Sequence, residues 1–248
     1  MSGGAGAGYL GTYLVTDRAL CGDRGVLPVI RAAVMGGAST VQIREKTVSA
    51  RELFELVLAA ADVIGGRARL IVDDRVDVFL AARAAGAQVD GVHVGQSDLP
   101  VGVVRAIVGT DALVGLTANT TAHLDAVAAL PPGTVDYLGV GVIRPTATKP
   151  GHPEPLGAAG FARIAAGTVL PCVAIGGVAL ADTAELRAAG AAGLAVVSAI
   201  CSAADPEQAA RAFASAWALA GARPTVESGP TAVPMQTAEA IPSAGARS

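Results

Sequence analysis

The residues best equipped for chemistry crowd into one stretch, 139–151, which reads Gly-Val-Gly-Val-Ile-Arg-Pro-Thr-Ala-Thr-Lys-Pro-Gly. An apolar strand pattern broken by glycines runs into a loop carrying the hydroxyls of Thr146 and Thr148, the ammonium of Lys149 and the guanidinium of Arg144, with Pro145 and Pro150 stiffening its flanks. Glycine frees backbone amides, and amides, hydroxyl donors and a compact cation are what phosphate oxygens require. A solvated connection has a similar composition. The polar residues at other strand ends weigh the balance toward phosphate.

The stretch Val41-Gln42-Ile43-Arg44-Glu45-Lys46 alternates with period two, so Gln42, Arg44 and Lys46 share one face and Val41 and Ile43 the other. Two cations at the mouth of a closed sheet suit a polyanion; the alternative is charge trailing off a strand into water. A third apolar burst ends in Asp73-Asp74 and a fourth in His93-Val94-Gly95-Gln96-Ser97-Asp98. Carboxylates on adjacent strand ends, with neither Cys nor convergent His, make a hard-oxygen site that suits Mg²⁺ better than zinc. Because magnesium takes one or two protein carboxylates, Asp74 and Asp98 would suit an ion that bridges a pyrophosphate. The competing reading of Asp73-Asp74-Arg75 is a helix cap with a local ion pair. His93, alone on its apolar strand, is expected to pack inside and hydrogen-bond. Later bursts end in Gly115-Leu116-Thr117, Gly176-Gly177 and Val197-Ser198; the paired glycines admit close backbone approach or close packing, and Ser198 adds a hydroxyl. Two anion sites, one with cations and metal and one of neutral amides, point to two phosphorylated substrates.

A scaffold must bring these strand ends together. Apolar bursts alternate with helical periods: strands are expected over 13–16, 40–44, 69–73, 91–94, 113–117, 137–140, 170–175 and 193–197. The intervening helices are expected over 27–35, 49–64, 75–85, 100–108, 121–130, 156–165, 181–189 and 206–219. The second is the clearest, with Leu53, Leu56, Val57, Ala60 and Ile64 on one stripe and Ser49 with Glu52 as a capping box. Gly36, Gly86 and Gly190 stand just past helix ends, where a left-handed residue is expected. Eight βα units argue for one α/β domain, a (β/α)8 TIM barrel, whose active sites lie at the C-terminal ends of its strands. The rival doubly wound sheet normally shows a Gly-rich turn after its first strand, and Thr16 to Asp23 carries no dinucleotide fingerprint.

Composition sets further bounds. Of 248 residues, 52% are hydrophobic but only 3% aromatic, so the core must come from Ala, Val, Leu and Ile, as in parallel strands buried under helices. A formal charge of -3 and a pI near 5.6 leave no basic footprint for nucleic acid. The charge-free runs 164–181 and 188–204 approach the length of a membrane span, but interior Pro and Gly and the burst-then-helix phasing argue against one. Residues 1–8 read as a flexible lead-in without signal-peptide features, 9–220 as the catalytic barrel, and 221–248 as a disordered tail rich in Pro, Ser and Ala. Cys21, Cys172 and Cys201 are too few and scattered for a disulfide framework or zinc site, so a reducing cytoplasm is expected, with Cys172 a small buried hydrophobe. A homo-oligomer is compatible with the sequence, which leaves assembly open.

The chain resembles the thiamine-phosphate synthase family. The resemblance rests on Tyr13-Leu14-Val15-Thr16-Asp17, Val41 to Lys46, Asp73-Asp74-Arg75, Gly91 to Asp98, Pro145 to Pro150, Ala174 to Gly177 and Val196-Val197-Ser198, in the family's order. It implies that hydroxymethylpyrimidine pyrophosphate and thiazole phosphate are joined to give thiamine phosphate and pyrophosphate. By position, Gln42, Arg44, Lys46, Asp73, Thr117 and Lys149 would hold the pyrimidine pyrophosphate, with Arg44, Lys46, Thr117 and Lys149 as the catalytic groups. Asp74 and Asp98 would hold Mg²⁺, and Thr146, Ala147, Thr148, Gly177, Val197 and Ser198 the thiazole phosphate. Three features depart from the family pattern. Asp73 replaces the usual Asn and would either repel the aminopyrimidine's acceptor nitrogen or join the metal shell; Thr117 replaces Ser; Arg144 and Ala147 replace an aromatic residue and a proline, which would place an extra cation near the phosphates. The rivals are a thiazole tautomerase of the same superfamily, which should lack the cations and carboxylates, and a barrel that binds precursors without turnover.

Overall fold

Each β-rich burst is too short to bury its apolar residues alone and does so by pairing edge to edge under a layer of helices. The computed structural model describes residues 7–146 and 154–221. The expected tail from residue 222, the lead-in up to residue 6 and the loop residues Ala147, Thr148 and Lys149 lie outside the described residues. The chain runs from β1 (Thr12–Val15) through the short α1 (Arg18–Cys21) to α2 (Val26–Met35), then from β2 (Thr40–Ile43) to α3 (Ala50–Ile64). Next come β3 (Arg69–Asp73) and α4 (Val76–Ala84), β4 (Gly91–Val94) and α5 (Val101–Val108), β5 (Leu113–Thr117) and α6 (Thr121–Ala128). The last turns are β6 (Tyr137–Gly141) and α7 (Gly157–Ala166), β7 (Cys172–Ile175) and α8 (Thr183–Ala188), and β8 (Ala191–Val196), which leads through the short α9 (Ser198–Cys201) to α10 (Pro206–Gly221). All eight strands are parallel, and β8 pairs back onto β1 to close the barrel. This is the TIM barrel expected from the alternation.

Two apolar layers follow from the period of two. Val41, Ile43, Val72, Val92 and Val114 point outward and pack with Val57, Phe79 and Val104 of the helices. Tyr13, Val15, Ile71, Tyr137, Val173 and Ala195 point inward and fill the barrel. The inward set of the C-terminal strand ends is polar, and it includes Gln42, Asp73, His93 and Thr117. Gly115 leaves room for that inner layer, since a Cβ there would stand 2.3 Å from Tyr137 Cζ and 2.4 Å from His93 Nδ1.

Some boundaries move for identifiable reasons. β7 starts at Cys172 instead of residue 170, because Pro171 has no N–H to give and the Leu170 amide donates to Thr168 Oγ1 at 3.1 Å. β8 ends at Val196, and α9 and α1 are helical turns that the apolar pattern hid; α1 begins where Asp17 accepts from the Leu20 amide at 3.1 Å. Ser49 caps α3 as expected, with the reciprocal bond from its own amide to Glu52 at 3.0 Å. Gly86 and Gly190 have positive φ, but Gly36 does not: its φ is -76°, and the left-handed residue is Gly37 at 98°. Gly36 is glycine for space, because a Cβ would meet the Glu207 carbonyl oxygen of α10 at 2.4 Å. No helix among the described residues is long and apolar enough to cross a membrane.

Candidate active site

The C-terminal strand ends surround a cavity of about 530 Å³. Its lining includes Gln42, Arg44, Lys46, Asp73, Asp74, Asp98, Thr117, Thr146 and Val197, so residues proposed from six different strand ends share one space. Gly177 and Ser198 stand outside that lining. Gly177 lies beneath Arg144 and Pro145, where a Cβ would come within 2.9 Å of the Arg144 carbonyl oxygen, and Ser198 opens α9. Gly176 lines the cavity, and its carbonyl accepts from the Ile143 and Arg144 amides at 2.9 and 3.0 Å. The glycine pair, with φ of 88° and 67°, thereby ties the end of β7 to the start of the Thr146 loop.

Charge is organised around Lys46. The alternation of β2 carries on past its end, so Arg44 and Lys46 turn to the mouth and meet the carboxylates of the next strand. Lys46 Nζ lies 3.0 Å from Asp73 Oδ2 and also bonds Asp74, while Arg44 Nε stands 3.9 Å from Asp73. Burial disfavours the Lys46 charge, but Asp73 and Asp74 outweigh it and hold the ammonium pKa above its ordinary value. Asp73 is a buried counter-ion to the two cations meant for substrate.

Asp74 sits in the left-handed region with φ of 57°, which a short polar side chain tolerates. The residue before α4 is Arg75, whose side chain makes no capping bond, so the helix-cap reading of the acidic pair fails. Burial first, then the neighbouring Asp73 and a hydrogen bond with Asp98, push the Asp74 carboxyl up to about 6 against the opposing pull of Lys46. Asp98 Oδ2 accepts from the Gly95 amide at 2.7 Å, which fixes it beside Asp74.

Arg144 is not the extra phosphate cation it promised to be. Its guanidinium forks onto Asp182, with Nε to Oδ2 at 3.0 Å and Nη2 to Oδ1 at 2.5 Å, and it does not line the cavity. His93 packs inside as expected, meeting Thr117 Oγ1 at 3.0 Å through Nε2. The cavity also takes in Gln96, Asn119 and His123, to which the sequence reading gave no role. Gln96 donates to the Thr117 carbonyl at 2.6 Å, and Asn119 Nδ2 donates to the Gly141 carbonyl at 3.0 Å. Asn119 follows the end of β5 by two positions and was open to the strand-end argument; His123 was masked by the helical period of α6.

A (β/α)8 barrel that gathers cations, paired carboxylates and hydroxyls at the mouth defines an enzyme for small phosphorylated substrates. Comparison with known proteins narrows this. Residues 12–200 match the family model described as thiamine monophosphate synthase, and the chain belongs to that family. It is 42% identical over 204 residues to the thiamine-phosphate synthase of a Psychrobacter species, spanning 82% of this chain and 93% of the relative. It is 47% identical over 186 residues to that of Corynebacterium efficiens, spanning 75% and 86%. Among solved structures, thiamine phosphate pyrophosphorylase from Pyrococcus furiosus superposes with a TM-score of 0.76 at 28% identity, over 87% of this chain and 99% of that one.

Proposed function

We propose that the barrel mouth joins hydroxymethylpyrimidine pyrophosphate to thiazole phosphate, yielding thiamine phosphate and free pyrophosphate. The observation that carries this reading is the meeting of Arg44, Lys46, Asp74 and Asp98 in one cavity of a chain that matches the synthase family. Departure of pyrophosphate from the exocyclic carbon leaves a cation that the electron-rich aminopyrimidine delocalises. Arg44 and Lys46, with Lys149 of the loop, oppose the charge growing on the leaving group, and preorganised charges of this kind supply on the order of 3 kcal/mol each. Gln42, Asp73 and Thr117 surround the same substrate; in the free enzyme Asp73 and Asp74 occupy Lys46, and the incoming phosphates displace them. The thiazole nitrogen already has a lone pair, so its attack asks no proton abstraction of the site. Thr146 and Val197 in the lining, with Ala147, Thr148, Gly177 and Ser198, are assigned to the thiazole phosphate.

Asp74 and Asp98 fit a magnesium ion on their own chemistry. Their carboxyls are in hydrogen-bond contact, and Asp74 is held at about 6 first by burial and then by Asp73, a repulsion that a hard divalent cation relieves. Among the described residues no three His, Cys, Asp or Glu side chains form a complete cage, in keeping with an ion that draws the rest of its shell from water and phosphate. Bound there, Mg²⁺ would neutralise charge on the pyrophosphate. Free thiols at Cys21, Cys172 and Cys201 support a reducing, cytoplasmic setting. The tautomerase reading uses neither the cations nor the carboxylates that this cavity gathers.

The test is incubation of the purified protein with Mg²⁺ and both substrates, following pyrophosphate and thiamine phosphate. Product that requires all three components is expected. Binding of thiazole phosphate without product would replace this reading with the tautomerase or a non-catalytic binder.

A further inference from the structure

Beneath the cavity a line of hydrogen bonds crosses the barrel interior and joins two residues of the pyrimidine site. Gln42 Nε2 donates to Tyr13 Oη at 2.9 Å, and Tyr13 Oη meets Tyr137 Oη at 2.9 Å. Tyr137 Oη meets His93 Nδ1 at 3.2 Å, and His93 Nε2 meets Thr117 Oγ1 at 3.0 Å. Tyr13, Tyr137 and His93 come from β1, β6 and β4 and are buried, with 2%, 1% and 8% exposure. Burial above all keeps both phenols far above their ordinary pKa, so each brings one proton and no charge.

A phenol has a single proton to give and burial favours the neutral imidazole, so when each member of the line both gives and accepts one proton, the direction of every bond follows from any one of them. With the Gln42 amide donating, Tyr13 donates to Tyr137 and Tyr137 to Nδ1. The imidazole proton then sits on Nε2 and goes to Thr117. Thr117 turns its own proton toward the cavity, and Gln42 presents its carbonyl oxygen there. Rotating the amide reverses all of these bonds together.

We propose that Tyr13, Tyr137 and His93 are positioning residues that lock the hydrogen-bonding faces of Gln42 and Thr117 together, so that the pyrimidine meets a fixed acceptor-and-donor pair. This rests on the reading above that Gln42 and Thr117 hold the pyrimidine pyrophosphate. A ring bearing an amino group gives its proton to the Gln42 carbonyl. A ring with an oxo group in its place needs the rotated amide, and the line resists that rotation because every bond must turn with it.

The experiment is calorimetric binding of hydroxymethylpyrimidine pyrophosphate and of its analogue with oxo in place of amino, to wild type, Tyr13→Phe, Thr117→Val and the double variant. Wild type should prefer the amino compound by about tenfold or more, and Tyr13→Phe should cut that preference at least about fivefold by releasing the amide. The double variant should lose no more preference than the larger single effect. A preference untouched by Tyr13→Phe, or two losses that multiply, overturns the proposal. Should Tyr13→Phe fail to fold, His93→Gln and His93→Leu serve instead: glutamine can accept from Tyr137 and donate to Thr117, so it should keep the preference that leucine loses, and equal loss in both overturns the proposal. If wild type binds the pyrimidine pyrophosphate yet makes no thiamine phosphate, the transferase reading falls while these ratios still judge the line.

Discussion

Gly115→Ala tests whether the inner layer of the barrel is as tightly built as the geometry says. The new methyl would lie 2.3 Å from Tyr137 Cζ, 2.4 Å from Tyr137 Oη and 2.4 Å from His93 Nδ1. Carbon contacts settle at about 3.5–4.0 Å, so these rings must retreat by more than about 1 Å. They are nearly fully buried, with Tyr137 at 1% exposure, and have no solvent to retreat into. Overpacking of this kind costs about 1–3 kcal/mol. Movement of Tyr137 also breaks its bonds to Tyr13 at 2.9 Å and to His93 at 3.2 Å, each worth about 0.5–1.5 kcal/mol net. A total near 3 kcal/mol would lower the melting temperature by about 6–12 °C for a domain of this size. Urea unfolding and calorimetry read the stability, and the KM for the pyrimidine pyrophosphate should rise with it, because Thr117 moves with His93. Gly102→Ala on α5 is the control: a Cβ there meets nothing within 4 Å, and helix propensity predicts a gain of up to about 1 kcal/mol. A Gly115→Ala protein within about 0.5 kcal/mol of wild type would refute the reasoning.

Four further outcomes follow from the same contacts. Asp73→Asn removes the carboxylate 3.0 Å from Lys46 that competes with substrate phosphate, so the KM for the pyrimidine pyrophosphate should fall about two- to fivefold, the worth of one partly exposed ion pair; a raised KM in steady-state kinetics would mean that Asp73 serves the substrate itself. Lys46→Ala should lower kcat/KM for the same substrate by about 10²-fold and leave thiazole phosphate binding unchanged by calorimetry. Arg144 holds the Asp182 carboxyl below its ordinary pKa. The stability that this pair contributes is therefore present above the ordinary carboxylate range and lost as pH falls through the lowered value. Urea midpoints of Arg144→Ala should fall below wild type at pH 7 and converge with it as pH falls below the ordinary carboxylate range. Ser49→Ala removes the hydroxyl half of the capping box on α3, leaving the bond from the residue 49 amide to Glu52, and should cost about 1 kcal/mol in urea unfolding, whereas Ser49→Asp should cost little.

Much of this protein is written locally. The period of two in Val41 to Lys46 already assigned Gln42, Arg44 and Lys46 to one face, and the barrel places all three in the cavity lining. The apolar stripe and cap of α3 likewise required nothing beyond their own residues. Local rules failed where a second segment decides the outcome. Gly36 was read as a left-handed cap, yet its reason is the carbonyl of Glu207 on α10. Arg144 had the composition of a phosphate ligand, but Asp182, 38 positions on, claims it. Asp73 could be weighed against substrate and metal from the sequence, but its pairing with Lys46 became visible only when β2 and β3 lay side by side. The line from Gln42 to Thr117 depends on Tyr13 and Tyr137, which are 124 positions apart. Periodicity, caps and turn residues are energies of neighbours in the chain, so the sequence alone determined the alternation, the barrel and the strand ends that carry the chemistry. Which charges neutralise one another, and which polar groups share protons, depends on distance and burial, and closure of β8 onto β1 sets both.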